Sequence, residues 1–306
     1  MKKEYSVLMS VYQKENPEYF RAALSSIFHQ TVLPTEIVLV CDGPLTAALD
    51  AVILEYESCY LKDTPRSTRT DMNDRVMPDG KLDMPETVFR VVRLAENGGL
   101  GKALNEGLGH CSCEWIARMD TDDLAAPDRC EKQLRYLERH PDVDALSGTI
   151  AEFQGDALDV QVAEKAVTSY KTVPQTPEEI SRYIKQRNPI NHPCVMFKKS
   201  SVELSGGYQP CPYFEDYDLW VRMYRDQAVL ANLPDTLLYM RVNGMHQRRG
   251  GIQYAKHIVE FRMKMYRYQV ITFGEFLPMT VARVLVSLMP NGVRKYLYDK
   301  TLRKHK

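Results

Sequence analysis

The stretch Trp115-Ile116-Ala117-Arg118-Met119-Asp120-Thr121-Asp122-Asp123-Leu124 passes from a mostly apolar run into three acids within four positions. Such a run predicts a strand covered on both faces, as in the middle of a parallel sheet. Its C-terminal end then lies at the edge where open α/β sheets bind ligands. If the strand continues, Asp120 and Asp122 point to one side and Asp123 to the other. Two ionised carboxylates on one side repel each other unless a proton or a cation joins them. A hard divalent ion suits them, since Mg²⁺ takes one or two carboxylates plus substrate phosphates. A solvated turn capping the next helix would use the same residue types, so the surroundings decide.

Upstream, Tyr5–Tyr12, Glu36–Val40 and Val88–Leu94 read as further strands, rich in β-branched and aromatic residues. Helical spacing fills the gaps at 18–30, 45–57 and 102–110. Strand, helix and strand with short crossovers make βαβ units, hence a mostly parallel, Rossmann-like α/β sheet flanked by helices. Four strand ends line one edge: Ser10-Val11-Tyr12, Asp42-Gly43, Asn97-Gly98-Gly99-Leu100-Gly101 and the acidic one. A nucleotide would bind there. Gly99-Leu100-Gly101 lacks the third glycine of a dinucleotide fingerprint, and Gly101-Lys102 lacks the rest of a P-loop. Hydride transfer and ATP hydrolysis are therefore disfavoured. Residues 61–86 are polar, contain three prolines and predict a flexible surface insertion.

Composition narrows the class. The 306 residues, 44% of them hydrophobic, suffice for a sizeable core. Forty basic and forty acidic residues cancel, giving no global case for nucleic acid. Seven irregularly spaced cysteines read as free thiols in a reducing compartment. No signal-peptide h-region opens the chain, and no apolar run approaches bilayer length.

Downstream, a helix is expected from after Pro127 to His140, and a strand within Asp142–Phe153. The polar segment 155–177 has no clear assignment. Pro177 starts a helix, with Glu178 and Glu179 in its first turn. The loop Asn188-Pro189-Ile190-Asn191-His192-Pro193 leads into a strand at Cys194–Phe197. Phe214-Glu215-Asp216-Tyr217-Asp218-Leu219-Trp220 opens another helix, and 237–242 reads as a late strand. From 253 the chain reads as helices outside the main sheet, with apolar groups alternating with Arg283, Arg294, Lys295, Lys300, Arg303 and Lys304. Such a basic amphipathic tail lies on an anionic membrane, or packs on the catalytic domain or on a second subunit in a homodimer.

Seven pieces in order are similar to the family 2 inverting glycosyltransferases, which have the GT-A fold. They are Ser10-Val11-Tyr12, Phe28-His29-Gln30-Thr31, Asp42-Gly43, Asn97 to Gly101 with Lys102 and Asn105, Asp120-Thr121-Asp122-Asp123, Gly206-Gly207-Tyr208, and Phe214 to Trp220. The resemblance covers roughly residues 4 to 245. It implies a catalytic domain over 1–245, with 4–125 as the nucleotide-sugar half and 126–245 as the acceptor and base half. Residues 246–306 would form a helical extension.

The resemblance implies transfer of a sugar from a nucleoside diphosphate sugar, commonly UDP-linked, to an acceptor hydroxyl with inversion. Asp42 would bind the nucleobase within a pocket formed by Ser10, Val11 and Tyr12. The donor would also meet Asn97, Gly98, Gly99, Leu100, Lys102, Asn105, Met119, Asp120 and Thr121. Asp122, with Asp120, would hold Mn²⁺ or Mg²⁺ beneath the diphosphate, and Asp123 would be structural. The histidine that the family often carries after Tyr-x-Arg-Val is replaced by Asn243, which leaves His246 as the nearest one to the metal. Arg248 and Arg249 would clamp the diphosphate. Asp216 would be the base and Glu215 its neighbour, with His192 and Trp220 on the acceptor side. For His192 a purely structural loop role is the competing reading, and for Lys102 a solvated helix position. The acceptor would be a glycan or lipid-linked saccharide, which places the enzyme in the cytoplasm or on the inner face of the membrane. Without spanning helices or a Gln-x-x-Arg-Trp tract, addition of single sugars is expected. Two other functions fit a similar sheet: a sugar-phosphate nucleotidyltransferase, and a non-catalytic nucleotide-sugar-binding module.

Overall fold

Alternation along the first strand sets up two apolar layers. In β1 (Ser6–Val11), Val7, Met9 and Val11 face one layer while Leu8 faces the other. The computed structural model describes residues 4–60, 87–243, 250–290, 292 and 304–305. The expected insertion at 61–86 lies outside them, as do His246, Arg248 and Arg249.

Three strand–helix–strand units follow one another. They comprise α1 (Pro17–Phe28), β2 (Glu36–Cys41), α2 (Ala47–Tyr60), β3 (Val88–Arg93), α3 (Leu100–His110) and β4 (Trp115–Asp120). The Asn16 side chain caps α1 by accepting from the Glu18 and Tyr19 amides, and Pro17 follows it at the first helical position. The parallel order is β3-β2-β1-β4, in a register that pairs Ser10 with both Val40 and Asp120. The strand ends expected to share one edge therefore do.

The acidic strand stops at Asp120. A turn and a two-residue strand, β5 (Leu124–Ala125), follow before α4 (Arg129–Arg139). Asp120 and Asp122 therefore do not share a strand face. The second half adds β6 (Val143–Phe153), α5 (Val160–Lys165) and β7 (Val167–Lys171), so the segment left unassigned holds a short helix and a strand. Then come α6 (Pro177–Tyr183), a 3-10 turn at His192–Cys194, β8 (Met196–Lys198), α7 (Lys199–Leu204), α8 (Glu215–Arg225) and β9 (Val229–Arg241). The late strand is longer than expected because β9 runs parallel beside β6 as well as pairing with β5. β8 joins the halves by lying antiparallel to both β4 and β6.

Helices α9 (Ile252–Arg267) and α10 (Phe273–Leu288) pack on the layer formed by α3 and α8, through Ile258, Phe261, Met265 and Phe276. At the chain's end, β10 (Lys304–His305) pairs with β7. Cys41, Cys111, Cys113, Cys130, Cys194 and Cys211 are free thiols, and no described helix is long and apolar enough to cross a membrane.

Candidate active site

Along β4 the two-residue period places Arg118 and Asp120 on one face. Arg118 is wholly buried, and both terminal nitrogens of its guanidinium donate to the two Asp120 oxygens. Asp120 is thus an aimed, charge-paired carboxylate. The turn beyond it is pinned from two sides. The buried Thr121 hydroxyl donates to Glu15 (2.9 Å) and lies 3.3 Å from the Ser10 carbonyl. Asp123, also buried, accepts the Arg241 amide (3.0 Å). The Arg241 side chain donates to the Asp122, Gly155 and Ala157 carbonyls and stacks over Tyr19.

Negative charge accumulates here. Burial, then the Asp120 and Glu15 carboxylates, push the Asp122 carboxyl up to about 7. Burial also raises Glu15, and burial with Asp122 and Asp120 beside it holds Asp123 well above the carboxylate range. Glu15 was absent from the sequence-based set; its only signal there was an acid in the loop after the first strand. Hard oxygen donors with excess negative charge suit Mg²⁺ or Mn²⁺. Among the described residues no three His, Cys, Asp or Glu side chains form an ion-holding set. The residues fit an ion that takes one or two carboxylates and completes its shell with phosphate oxygens.

Asp42 does something the motif did not predict. Its carboxylate accepts the Gly98 (2.7 Å) and Gly99 (3.0 Å) amides, and its carbonyl accepts the Asn97 side chain (3.1 Å). It ties the glycine loop before α3 to the end of β2. Gly43 is required for this approach: its φ is +84°, and a Cβ there would meet the Asn97 nitrogen at 2.7 Å. Tyr12 stands exposed at the mouth, with Ser10 and Leu100 half-buried. Lys102 is exposed, 3.9 Å from Glu96. The side chains of Val11 and Met119 lie wholly in the core, so at most their backbones face a ligand. Asn105 uses both ends of its amide on the Tyr208 backbone (2.6 and 2.7 Å), which makes it a clamp on the Gly206-Gly207 turn.

Across the edge, Asp216 lies in the first turn of α8. One oxygen accepts the Tyr217 amide and the other the Asn188 side chain, both at 2.7 Å. Asn188 belongs to the loop noted in the sequence, where it had no assigned role. Glu215 precedes Asp216, half-buried.

Two acceptor-side expectations are corrected by burial. Trp220 is fully buried, and His192 is 6% exposed, bonded through Nε2 to the Tyr208 hydroxyl (2.7 Å). Burial, with Arg118 and Lys171 nearby, holds the imidazole well below its usual value, so it is neutral. The two rings pack edge-on beneath the site and support it. Asp218 is buried in ion pairs with Arg222 (2.9 Å) and Lys264 (2.7 Å), and Arg222 also donates to the Ser205 and Gly207 carbonyls.

A mixed sheet with a parallel β3-β2-β1-β4 half, an acid cluster at one strand end and an acidic helix start across from it is the GT-A architecture. The sequence profile described as "Glycosyl transferase family 2" matches residues 78–204. An uncharacterised glycosyltransferase of Haemophilus influenzae is 38% identical, covering 98% of this chain and 100% of that protein. The amylovoran biosynthesis glycosyltransferase AmsE of Erwinia amylovora is 35% identical (97% and 98%). The UDP-Gal:alpha-D-GlcNAc-diphosphoundecaprenol beta-1,3-galactosyltransferase of Escherichia coli is 32% identical (98% and 97%). The chain belongs to glycosyltransferase family 2. Its fold matches crystal structures of S. aureus TarS 1–349 with UDP-GlcNAc (TM-score 0.63, 16% identity, 98% of this chain and 76% of that one). It also matches a Pyrobaculum calidifontis mannosyltransferase in complex with GDP-Man and Mn²⁺ (TM-score 0.58, 16% identity, 97% and 79%). The protein is therefore a glycosyltransferase.

Proposed function

We propose that the chain transfers one hexose or N-acetylhexosamine from a UDP-sugar to a hydroxyl of a lipid-linked saccharide, with inversion, at the cytoplasmic face of a membrane. Residues 1–245 would be the catalytic domain and 246–306 its extension, of which helices α9 and α10 and the short strand β10 are described. The observation that carries the reading is the crowding of Asp122 by Asp120 and Glu15 opposite an Asp216 held by neutral donors. UDP is favoured by the UDP-GlcNAc-bound neighbour and by a relative named for UDP-Gal, and the lipid-linked acceptor by that same relative.

Asp122, with Asp120 beside it, would hold Mn²⁺ or Mg²⁺. Bound there, the ion would act as a Lewis acid that stabilises charge on the departing diphosphate. Asp120, aimed by Arg118, would receive donor hydroxyls as a paired acceptor. The glycine loop that Asp42 fastens would flank the nucleotide, with Ser10 and Tyr12 at the base. The acceptor oxygen attacks the anomeric carbon from the face opposite the diphosphate. As the new bond forms, the anomeric carbon–oxygen bond to the diphosphate breaks, and the hydroxyl proton passes to Asp216. The Asn188 amide holds one Asp216 oxygen, which orients the other.

A thermal-shift screen of UDP, GDP and their sugars, with and without Mn²⁺, tests donor and metal together. UDP-sugars are expected to stabilise the protein only when Mn²⁺ is present. Equal stabilisation without metal, or none by any UDP-sugar, would overturn the reading.

A further inference from the structure

The hairpin of α9 and α10 carries an apolar face that the described residues leave uncovered. Phe273, Leu277, Val281, Leu285 and Leu288 follow one another at helical spacing and are 48–60% exposed. Ile252, Val259 and Tyr266, seven apart on α9, are 40–82% exposed. A seven-residue step returns to nearly the same side of a helix, so these three form a second stripe. The stripes adjoin at both ends: Tyr266 packs edge-on against Phe273, and the Gly251 amide donates to the Ser287 carbonyl. Of the fifteen large hydrophobic residues exposed among the described residues, eight lie on this hairpin. They are concentrated rather than scattered.

The charges say what would cover them. α10 has only two, Glu275 and Arg283. Glu275 meets Lys185 (3.0 Å) and the Thr272 cap, and Arg283 donates to the Gln186 carbonyl. Both thus turn toward the loop after α6, leaving the outer face of a helix about 24 Å long without charge. A surface helix in water normally exposes charged residues there. Along the α9 border stand the exposed Lys256, Glu260 and Arg267, with Lys256 and Glu260 3.7 Å apart, and on the α6 side the exposed Arg182. An apolar face with a net positive border matches an anionic bilayer surface, where the stripe enters the acyl boundary and the cations outside the Lys256–Glu260 pair meet phosphates.

The same hairpin is coupled to the base. The Ile184 carbonyl accepts the Tyr217 hydroxyl, that of Lys185 accepts Arg262 (2.6 Å), and that of Gln186 accepts Arg283. Two residues further on, Asn188 donates to Asp216. We infer that the α9–α10 hairpin seats the enzyme on an anionic phospholipid surface and, through the 184–188 loop, sets the Asp216 side of the site at a fixed height above it. The functional half of this inference rests on the lipid-linked acceptor proposed above; the surface itself does not.

Sedimentation with vesicles of phosphatidylcholine alone, or of phosphatidylcholine with phosphatidylglycerol, tests the surface without any acceptor. The full chain is compared with the Leu277→Glu/Leu285→Glu variant and with Leu54→Glu/Leu204→Glu, which alters exposed leucines on α2 and α7. The wild type and the control variant are expected to bind phosphatidylglycerol vesicles, with the hairpin variant weakened by about tenfold or more. UDP-sugar stabilisation by Mn²⁺ is read on every protein and is expected to be equal in all three. Binding that is absent in the wild type, or unchanged in the hairpin variant, would overturn the inference while leaving the glycosyltransferase reading intact. So would a wild-type dimer in light scattering that the hairpin variant splits, since the face would then belong to a second copy. Vesicle binding without any donor response would instead sink the proposed function alone.

Discussion

Asp120-Thr121-Asp122-Asp123 and Glu215-Asp216-Tyr217-Asp218 are similar in composition, yet the fold treats their carboxylates differently. In each, the last acid is buried and committed: Asp123 to the Arg241 amide, Asp218 to Arg222 and Lys264. At the strand end the remaining acids crowd one another. Asp120 has Arg118, but Asp122 faces Asp120 and Glu15 with no ion pair of its own among the described residues, and its carboxyl rises to about 7. At the helix start, Glu215 and Asp216 sit in a first turn, where the helix N-terminus favours negative charge. Asp216 also has two neutral donors. The crowded carboxylate is completed by a cation and the diphosphate it brings, while the one satisfied by neutral donors stays available for a proton.

The strongest way to break this contrast is to neutralise one acid on each side. Asp122→Asn is expected to remove several kcal/mol of transition-state stabilisation, about 10³-fold or more in turnover, together with the Mn²⁺-dependent donor shift. Asp216→Asn is expected to lose about 10²–10⁴-fold in kcat while keeping that shift. If Asp216→Asn lost donor binding, or Asp122→Asn kept it, the division of labour would be wrong.

Asn188→Ala sharpens the comparison on the helix side. Freed from its amide donor, Asp216 loses orientation, and kcat is expected to fall about tenfold to a hundredfold with the donor KM unchanged. A donor KM effect without a kcat effect would point to a general structural role.

Stability against pH tests the strand side in metal-free protein. Because the Asp122 carboxyl is raised from 3.8 to about 7, the folded state holds more protons than the unfolded chain between those values. Stability contributed by this group therefore falls as pH rises through that window and stays low above it. Asp122→Asn removes the penalty, so its melting temperature at pH 8 should exceed the wild type's by about 2–4 °C for each kcal/mol relieved, converging near pH 4. Glu15→Gln should act in the same direction by less. No difference at pH 8 would mean that the crowding is relieved in solution.

Much of the fold was legible in the sequence because local patterns dictated it. Apolar, β-branched runs and helical periods placed β1 to β4 and their helices, since each element must bury apolar side chains. The segment 155–177 was not legible. Strand β7 is five residues long and held by pairing with β6, which no local period announces. In the site, the residue types Asp120, Asp122, Glu215 and Asp216 were visible as acids at the ends of apolar elements, and the order of motifs gave the family.

Which acid did what was a tertiary matter. Glu15 reaches Thr121, and Asn188 reaches Asp216, over separations of 106 and 28 residues. Asp42 looked like a free acid in a turn until its carboxylate met the Gly98 and Gly99 amides. Trp220 read as an acceptor contact, and His192 as either that or a structural loop residue, until packing buried both. Sequence alone determined the strand order's raw material, the acid-bearing edge and the glycosyltransferase class, because periodicity and motif chemistry are local. Only the tertiary structure decided which carboxylates are paired, which are crowded and which face of α10 is left bare, because charge and burial depend on what distant residues bring within a few ångströms.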